Sequence, residues 1–159
     1  ANGPRIKPKV RLLYTGGHAD NPEFFELLQQ NDAHVVSDNT GFGTRAADVL
    51  ICEDGDPLEA IINYYFEEKP AATRQMGTQV ERMERLLDLV KQYKADGVVA
   101  SRLYMCDLWA FEHFLMRKRL HENNVPFLEL EVDYTPEGQG QIKTRVQAFV
   151  ESLADRQTA

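Results

Sequence analysis

The chain has 159 residues and a mass of 18.2 kDa, the size of one domain. Hydrophobic residues at 43% and charged residues at 27% fit a folded globular chain and exclude a disordered or collagen-like one. A net charge of −7 argues against the basic footprint of non-specific nucleic-acid binding, and no apolar run is long enough to span a bilayer.

Residues 1–8 form a polar, prolyl lead. Residues 10–14 (VRLLY) read as a buried strand that runs into Thr15-Gly16-Gly17, a turn where the backbone can approach another group closely. Asn21-Pro22-Glu23 supplies an N-cap, a proline at N1 and an acidic first turn. Phe24, Leu27 and Leu28 continue that helix to about Gln30. Residues 34–37 (HVVS) are a second strand, and residues 38–45 (DNTGFGTR) are a glycine-rich loop. Asp56-Pro57 repeats the N-cap and N1 signal for a helix over residues 58–67, with Leu58, Ile61, Ile62 and Tyr65 on one side. Thr78 and Glu81 have capping-box spacing ahead of a helix reaching about Lys94, with Val80, Met83, Leu87 and Val90 as its stripe.

Residues 97–101 (GVVAS) are a third buried strand. Residues 102–107 lead to a helix from near Leu108 to Asn123-Asn124, with Asp107 as the expected N-cap. Residues 126–132 are a fourth strand. Ile142, Val146, Phe149, Val150 and Leu153 mark one face of a last helix. The alternation predicts an α/β fold: a three-layer, doubly wound sandwich with a mainly parallel four-stranded sheet, Rossmann- or flavodoxin-like. Residues 9–154 form its single domain and residues 155–159 a tail.

Ligands of such sheets bind at the carboxyl ends of the strands. Four segments meet there: residues 15–18, 38–45, 101–107 and 133–141. Gly16 and Gly17 either cradle an anion or make a plain strand-to-helix turn; they match neither a dinucleotide nor a Walker A fingerprint. In the glycine-rich loop Arg45 offers a forked cation to a phosphate or carboxylate, the plain alternative being a surface loop. Cys106 follows a buried strand and precedes a helix, where amides and dipole favour an anionic sulfur, although an inert thiol is the common case. Cys52 reads as part of a packed segment. The two cysteines do not form a disulfide framework, which points to a reduced, cytoplasmic compartment. His18, His34, His113 and His121 are scattered, and no pattern in the chain closes a metal site. Tyr104, Trp109, Phe111 and Phe114 suit core or interface packing.

The chain resembles the C-terminal domain of the 2-hydroxyacyl-CoA dehydratase and benzoyl-CoA reductase family, of the 2-hydroxyglutaryl-CoA dehydratase D-component type. The residues that carry the likeness come in order. They are Lys94-Ala95-Asp96-Gly97-Val98, Cys106-Asp107, Val125-Pro126 with Leu128-Glu129, Asp133-Tyr134, and Gly140-Gln141 with Thr144-Arg145-Val146 and Ala148-Phe149. Upstream, residues 10–16, then Asp38 with Gly43-Thr44-Arg45, and Asp56-Pro57-Leu58-Glu59-Ala60 also fit. Many relatives carry a cysteine in the glycine-rich loop, where this chain has Gly41 and Phe42.

The resemblance implies an iron–sulfur subunit in which Cys106 is one of three cysteine ligands to a [4Fe–4S] cluster. The other two lie in an N-terminal region, so the isolated domain is expected to lack the cluster and to be inactive. It implies reduction of an acyl-CoA thioester by one electron to a ketyl radical. Its implied partners are the acyl-CoA substrate, a homologous second subunit and an ATP-dependent activator iron–sulfur protein, with no nucleic acid and no membrane. Gly16, Gly17, Thr44, Arg45, Asp107, Asp133 and Arg145 are the candidates for facing substrate or subunit. The alternatives are a non-catalytic partner subunit of the same family and a flavodoxin-like small-ligand-binding domain.

Overall fold

The computed structural model describes residues 7–17, 21–30, 32–133 and 139–158. Four strands, β1 (Val10–Gly16), β2 (Ala33–Asn39), β3 (Gly97–Leu103) and β4 (Phe127–Val132), form one parallel sheet in the order β2-β1-β3-β4. The two central strands are the most apolar, as strands covered on both faces must be: Val10, Leu12, Leu13, Tyr14, Val98, Val99 and Ala100 are all fully buried.

Alternation along the strands feeds two cores. Leu12, Tyr14 and Val99 pack with α1 (Pro22–Leu28) and α6 (Gln139–Thr158), through Leu28, Val146, Val150 and Leu153. Leu13, Val98 and Ala100 pack on the other face with α4 (Gln79–Gln92) and α5 (Asp107–Glu122), through Leu86, Leu87, Met116 and Leu120. This is the doubly wound, three-layer α/β fold expected from the sequence. Among the described residues no helix is long and apolar enough to cross a membrane.

Asn21 and Asp56 cap as expected. Asn21 accepts from the Glu23 N–H at 2.9 Å, and Asp56 accepts from the Leu58 and Glu59 N–H groups at 2.8 and 3.0 Å. Each is followed by a proline that has no N–H to satisfy. The capping box at Thr78 does not form. Its hydroxyl donates instead to the Gln75 carbonyl at 2.8 Å and accepts from Arg82 Nη1 at 2.5 Å, so a tertiary cation outcompetes the local cap. The last helix also continues through residues 155–158, where the sequence suggested a tail.

Between β2 and α4 lie α2 (Thr44–Ala47), α3 (Pro57–Asn63) and a π-helical turn, Tyr64–Glu68. This segment stands outside the two cores. The apolar stripe of its helix is present but faces outward: Leu58, Ile61, Ile62 and Tyr65 are all exposed. Cys52 is also exposed, contrary to the packed position expected for it, because residues 48–56 lie in neither strand nor helix and cross neither core.

Candidate functional site

The strand order reverses between β1 and β3, so the carboxyl ends of these strands are the natural place for a site. Gly16 closes β1 at φ +139°, a region that L side chains rarely adopt. A Cβ built on it would lie 2.2 Å from the Ser101 carbonyl oxygen. The group that Gly16 approaches is therefore the neighbouring strand. The Gly17 N–H extends the contact, donating to the same Ser101 oxygen at 3.0 Å. Beneath it the Tyr14 hydroxyl and Ser101 Oγ share a buried 2.5 Å hydrogen bond. Burial pushes the Tyr14 phenol up to about 12.

Beyond β3, Met105 takes φ +62°, left-handed for a residue with a side chain. The Cys106 N–H returns to the Leu103 carbonyl at 3.1 Å. The turn makes Cys106 itself the N-cap of α5, one residue earlier than the Asp107 cap read from sequence. Its carbonyl accepts from the Ala110 N–H at 3.0 Å, while its side chain makes no capping bond. The thiol is free and half-buried. Cys106 thus stands at the positive end of a helix of 16 residues. Around it Tyr104, Met105, Leu108 and Phe111 are exposed, and Asp107 is exposed in the first turn. Of the aromatic group expected in a core or interface, Tyr104, Phe111 and Phe114 face outward, while Trp109 packs against the α4 core.

At the end of β2 the Asp38 carboxylate gathers the glycine-rich loop. It accepts from the Thr40 N–H and hydroxyl at 2.9 and 2.6 Å, and from the Thr44 N–H and hydroxyl at 3.2 and 2.9 Å. Gly43 is required by this knot, since a Cβ there would lie 2.0 Å from Asp38 Oδ1. Burial alone would raise the Asp38 carboxyl, but the hydrogen bonds from Thr40 and Thr44 outweigh it and hold the group below its usual range. Thr44 therefore orders the loop from within. Arg45 is directed to a small interior cavity beside Thr15 and Asn39.

The remaining candidates do not join these. Arg145 donates to the Glu129 carbonyl at 2.7 Å along the outer edge of β4, in a groove that it shares with residues 124–129. Asp133 is exposed just after β4. Residues 134–138 and His18 lie outside the described residues. Among the described residues, no group of three or more His, Cys, Asp or Glu side chains could hold a metal ion.

One feature gave no motif in the sequence. His113 is fully buried between the Trp109 and Phe127 rings, with Nδ1 3.4 Å from Glu129 Oε1. Desolvation lowers its pKa; Glu129 opposes the shift, and Arg102 and Arg117 reinforce it. A neutral buried histidine contributes stability that is present above the ordinary histidine pKa, about 6.5, and is lost as pH falls through its lower folded value. The melting temperature is expected to fall as the pH drops below about 6.5, and less steeply in His113→Phe. Equal slopes in the two proteins would refute this assignment.

These elements define a doubly wound α/β domain that presents one free thiol from a helix N-terminus at the carboxyl edge of its sheet. Residues 1–153 match the family described as 2-hydroxyglutaryl-CoA dehydratase, D-component, and the chain belongs to that family. A protein of Escherichia coli (strain K12) named as a dehydratase subunit, YjiM, is 29% identical over 156 residues. That match covers 95% of this chain and 39% of the relative. The (R)-phenyllactyl-CoA dehydratase beta subunit of Clostridium sporogenes is 26% identical over 156 residues, 93% of this chain and 40% of that protein. The (R)-2-hydroxyglutaryl-CoA dehydratase subunit beta of Acidaminococcus fermentans is 25% identical over 151 residues, 90% of this chain and 38% of that protein. The chain thus spans about two fifths of the length of these curated relatives.

Proposed function

We propose that the chain is the C-terminal domain of an iron–sulfur subunit of a 2-hydroxyacyl-CoA dehydratase, with Cys106 as its one ligand to a [4Fe–4S] cluster. The observation that carries the proposal is the placement of Cys106. It is a free, half-buried thiol at the N-cap of α5, with the side chain uncommitted to capping. The donor chemistry fits a soft thiolate site, and the remaining ligands come from outside the described residues. The chemistry such a cluster supplies when bound is one-electron transfer, here from an ATP-dependent activator protein to the thioester carbonyl of an acyl-CoA, giving a ketyl that expels the 2-hydroxyl group. The names of the relatives support dehydration over ring reduction.

This chain's own residues hold and shield that position. The left-handed Met105 turns the backbone from β3 into α5 and sets Cys106 at the N-cap. The α5 dipole favours negative charge there. Tyr104, Met105 and Phe111, exposed within five residues of Cys106 along the chain, offer apolar surface for a second subunit to cover. The test is chemical analysis of the full-length protein purified without oxygen. Cys106→Ala is expected to lose nearly all its iron and acid-labile sulfide, and the electron paramagnetic resonance of the reduced cluster with them. Wild-type iron and sulfide content in that variant would overturn the assignment.

A further inference from the structure

The interior cavity beside Arg45 lies on the α4–α5 face of the sheet, below the ends of β1 and β2. Its polar lining is Thr15, Asn39, Arg45, Thr73, Arg82, Arg85 and Glu112. Arg82 and Glu112 neutralise each other through two hydrogen bonds of 2.7 and 2.8 Å. Arg85 reaches Asp48 through Nη1 at 2.5 Å, but its Nε and Nη2 are buried without a partner. The Thr15 hydroxyl is fully buried and also without a partner. Arg45 makes no hydrogen bond or ion pair among the described residues; burial and then the Arg85 and Arg82 guanidiniums pull its pKa below the ordinary value.

The lining therefore holds three guanidiniums, Arg45, Arg82 and Arg85, and one carboxylate, Glu112; Asp48, outside the lining, pairs with Arg85. Arg45, half-exposed, is the one of the three without a carboxylate partner among the described residues, and the buried Arg85 Nε, Arg85 Nη2 and Thr15 hydroxyl have no acceptor. Buried donors and charges in native proteins find partners, because leaving them unmatched costs free energy comparable to the stability of the fold. Asn39 Oδ1 also faces the gap unpartnered, and a half-turn of that amide brings its NH₂ to the same place. The free space is about 10 Å³, the room of one water-sized body. A phosphate or carboxylate group cannot be enclosed there.

We propose that the cavity is a binding site for a single small monovalent anion of the halide class, held by Arg45, Arg85 and Thr15. The anion would pin α2, and with it the glycine-rich loop, to the ends of β1 and β2. This site is independent of the cluster proposed at Cys106.

The experiment replaces sodium gluconate with sodium chloride or bromide at constant ionic strength. At about ten times the dissociation constant the halide is expected to raise the melting temperature by about 3–6 °C. A crystal soaked in bromide is expected to show an anomalous peak between the Arg45 and Arg85 guanidiniums. Arg45→Met, at a half-exposed residue that bonds to nothing else, is expected to abolish the halide shift while keeping its near-ultraviolet circular dichroism. Thr15→Val removes an unpartnered hydroxyl, so it is expected to be neutral or stabilising in gluconate and to weaken the shift in chloride. A cavity peak with no anomalous signal, which is water, would overturn the proposal. So would equal melting temperatures in chloride and gluconate, or a full halide shift in Arg45→Met. If either variant fails to fold, the bromide map of the wild-type protein decides alone.

Discussion

Glu112→Ala is expected to destabilise the domain by about 3–5 kcal/mol, a large share of a total near 5–15 kcal/mol. Glu112 and Arg82 are both buried, and both carboxylate oxygens are committed to the guanidinium. Truncating the acid strands a cation in the α4–α5 core, where water cannot reach it freely. The loss also reaches the connection ahead of α4. Arg82 Nη1 donates to the Ala72 and Gln75 carbonyls, both at 3.2 Å, and to Thr78. Two measurements check this. The urea midpoint should fall by the stated amount, and limited proteolysis should cut within residues 70–78 faster than in the wild type. The double variant Arg82→Met/Glu112→Leu should recover most of the stability but not the protection of that connection, because the apolar pair replaces the ion pair without its bonds to the backbone. A change below about 1 kcal/mol in Glu112→Ala would mean that Arg82 is solvated in solution.

That pair also shows where the sequence is mute. The strands were legible because β1 and β3 are largely apolar, and the caps at Asn21 and Asp56 because an Asx residue before proline satisfies an orphan amide locally. Arg82 and Glu112 lie 30 residues apart on two different helices, and nothing local pairs them. Thr78 illustrates the reverse case: its spacing to Glu81 fits a local cap, but Arg82 claims its hydroxyl. The stripe of Leu58, Ile61, Ile62 and Tyr65 was legible as a helical face, yet periodicity does not say which surface covers it. The site was legible in part. Cys106 was visible as a thiol at a helix start, but the left-handed Met105, which moves the cap from Asp107 to Cys106, has no composition signal. Arg45 was visible as a cation in a glycine-rich loop. That it also lines an interior cavity depends on how the loop folds, held by the bonds from Thr40 and Thr44 to Asp38, which no local pattern announces.

Gly16→Ala should be the most damaging single methyl in the domain, at about 3–6 kcal/mol from two additive causes. The backbone at φ +139° is open to glycine and strained for any L side chain. The new Cβ would also meet Ser101 O at 2.2 Å and Ser101 N at 2.8 Å, and both are backbone atoms of a central strand that cannot swing aside. Relief requires β1 and β3 to part, which breaks the Gly17 N–H bond to Ser101 and disturbs the buried Tyr14–Ser101 hydroxyl pair. Gly17→Ala is the internal control. Its Cβ would meet only the Trp109 ring, at 3.5 Å, an ordinary contact, so its cost should stay near 1 kcal/mol. Chemical denaturation of the two variants side by side checks the argument, and equal midpoints would refute it. The comparison also bears on function. Cys106 lies five residues past Ser101, in the turn that leads from the same strand into α5, so parting β1 from β3 should move the thiol as well. With the cluster proposed at Cys106, Gly16→Ala in the full-length protein should therefore lower iron content together with stability, whereas Gly17→Ala should spare both.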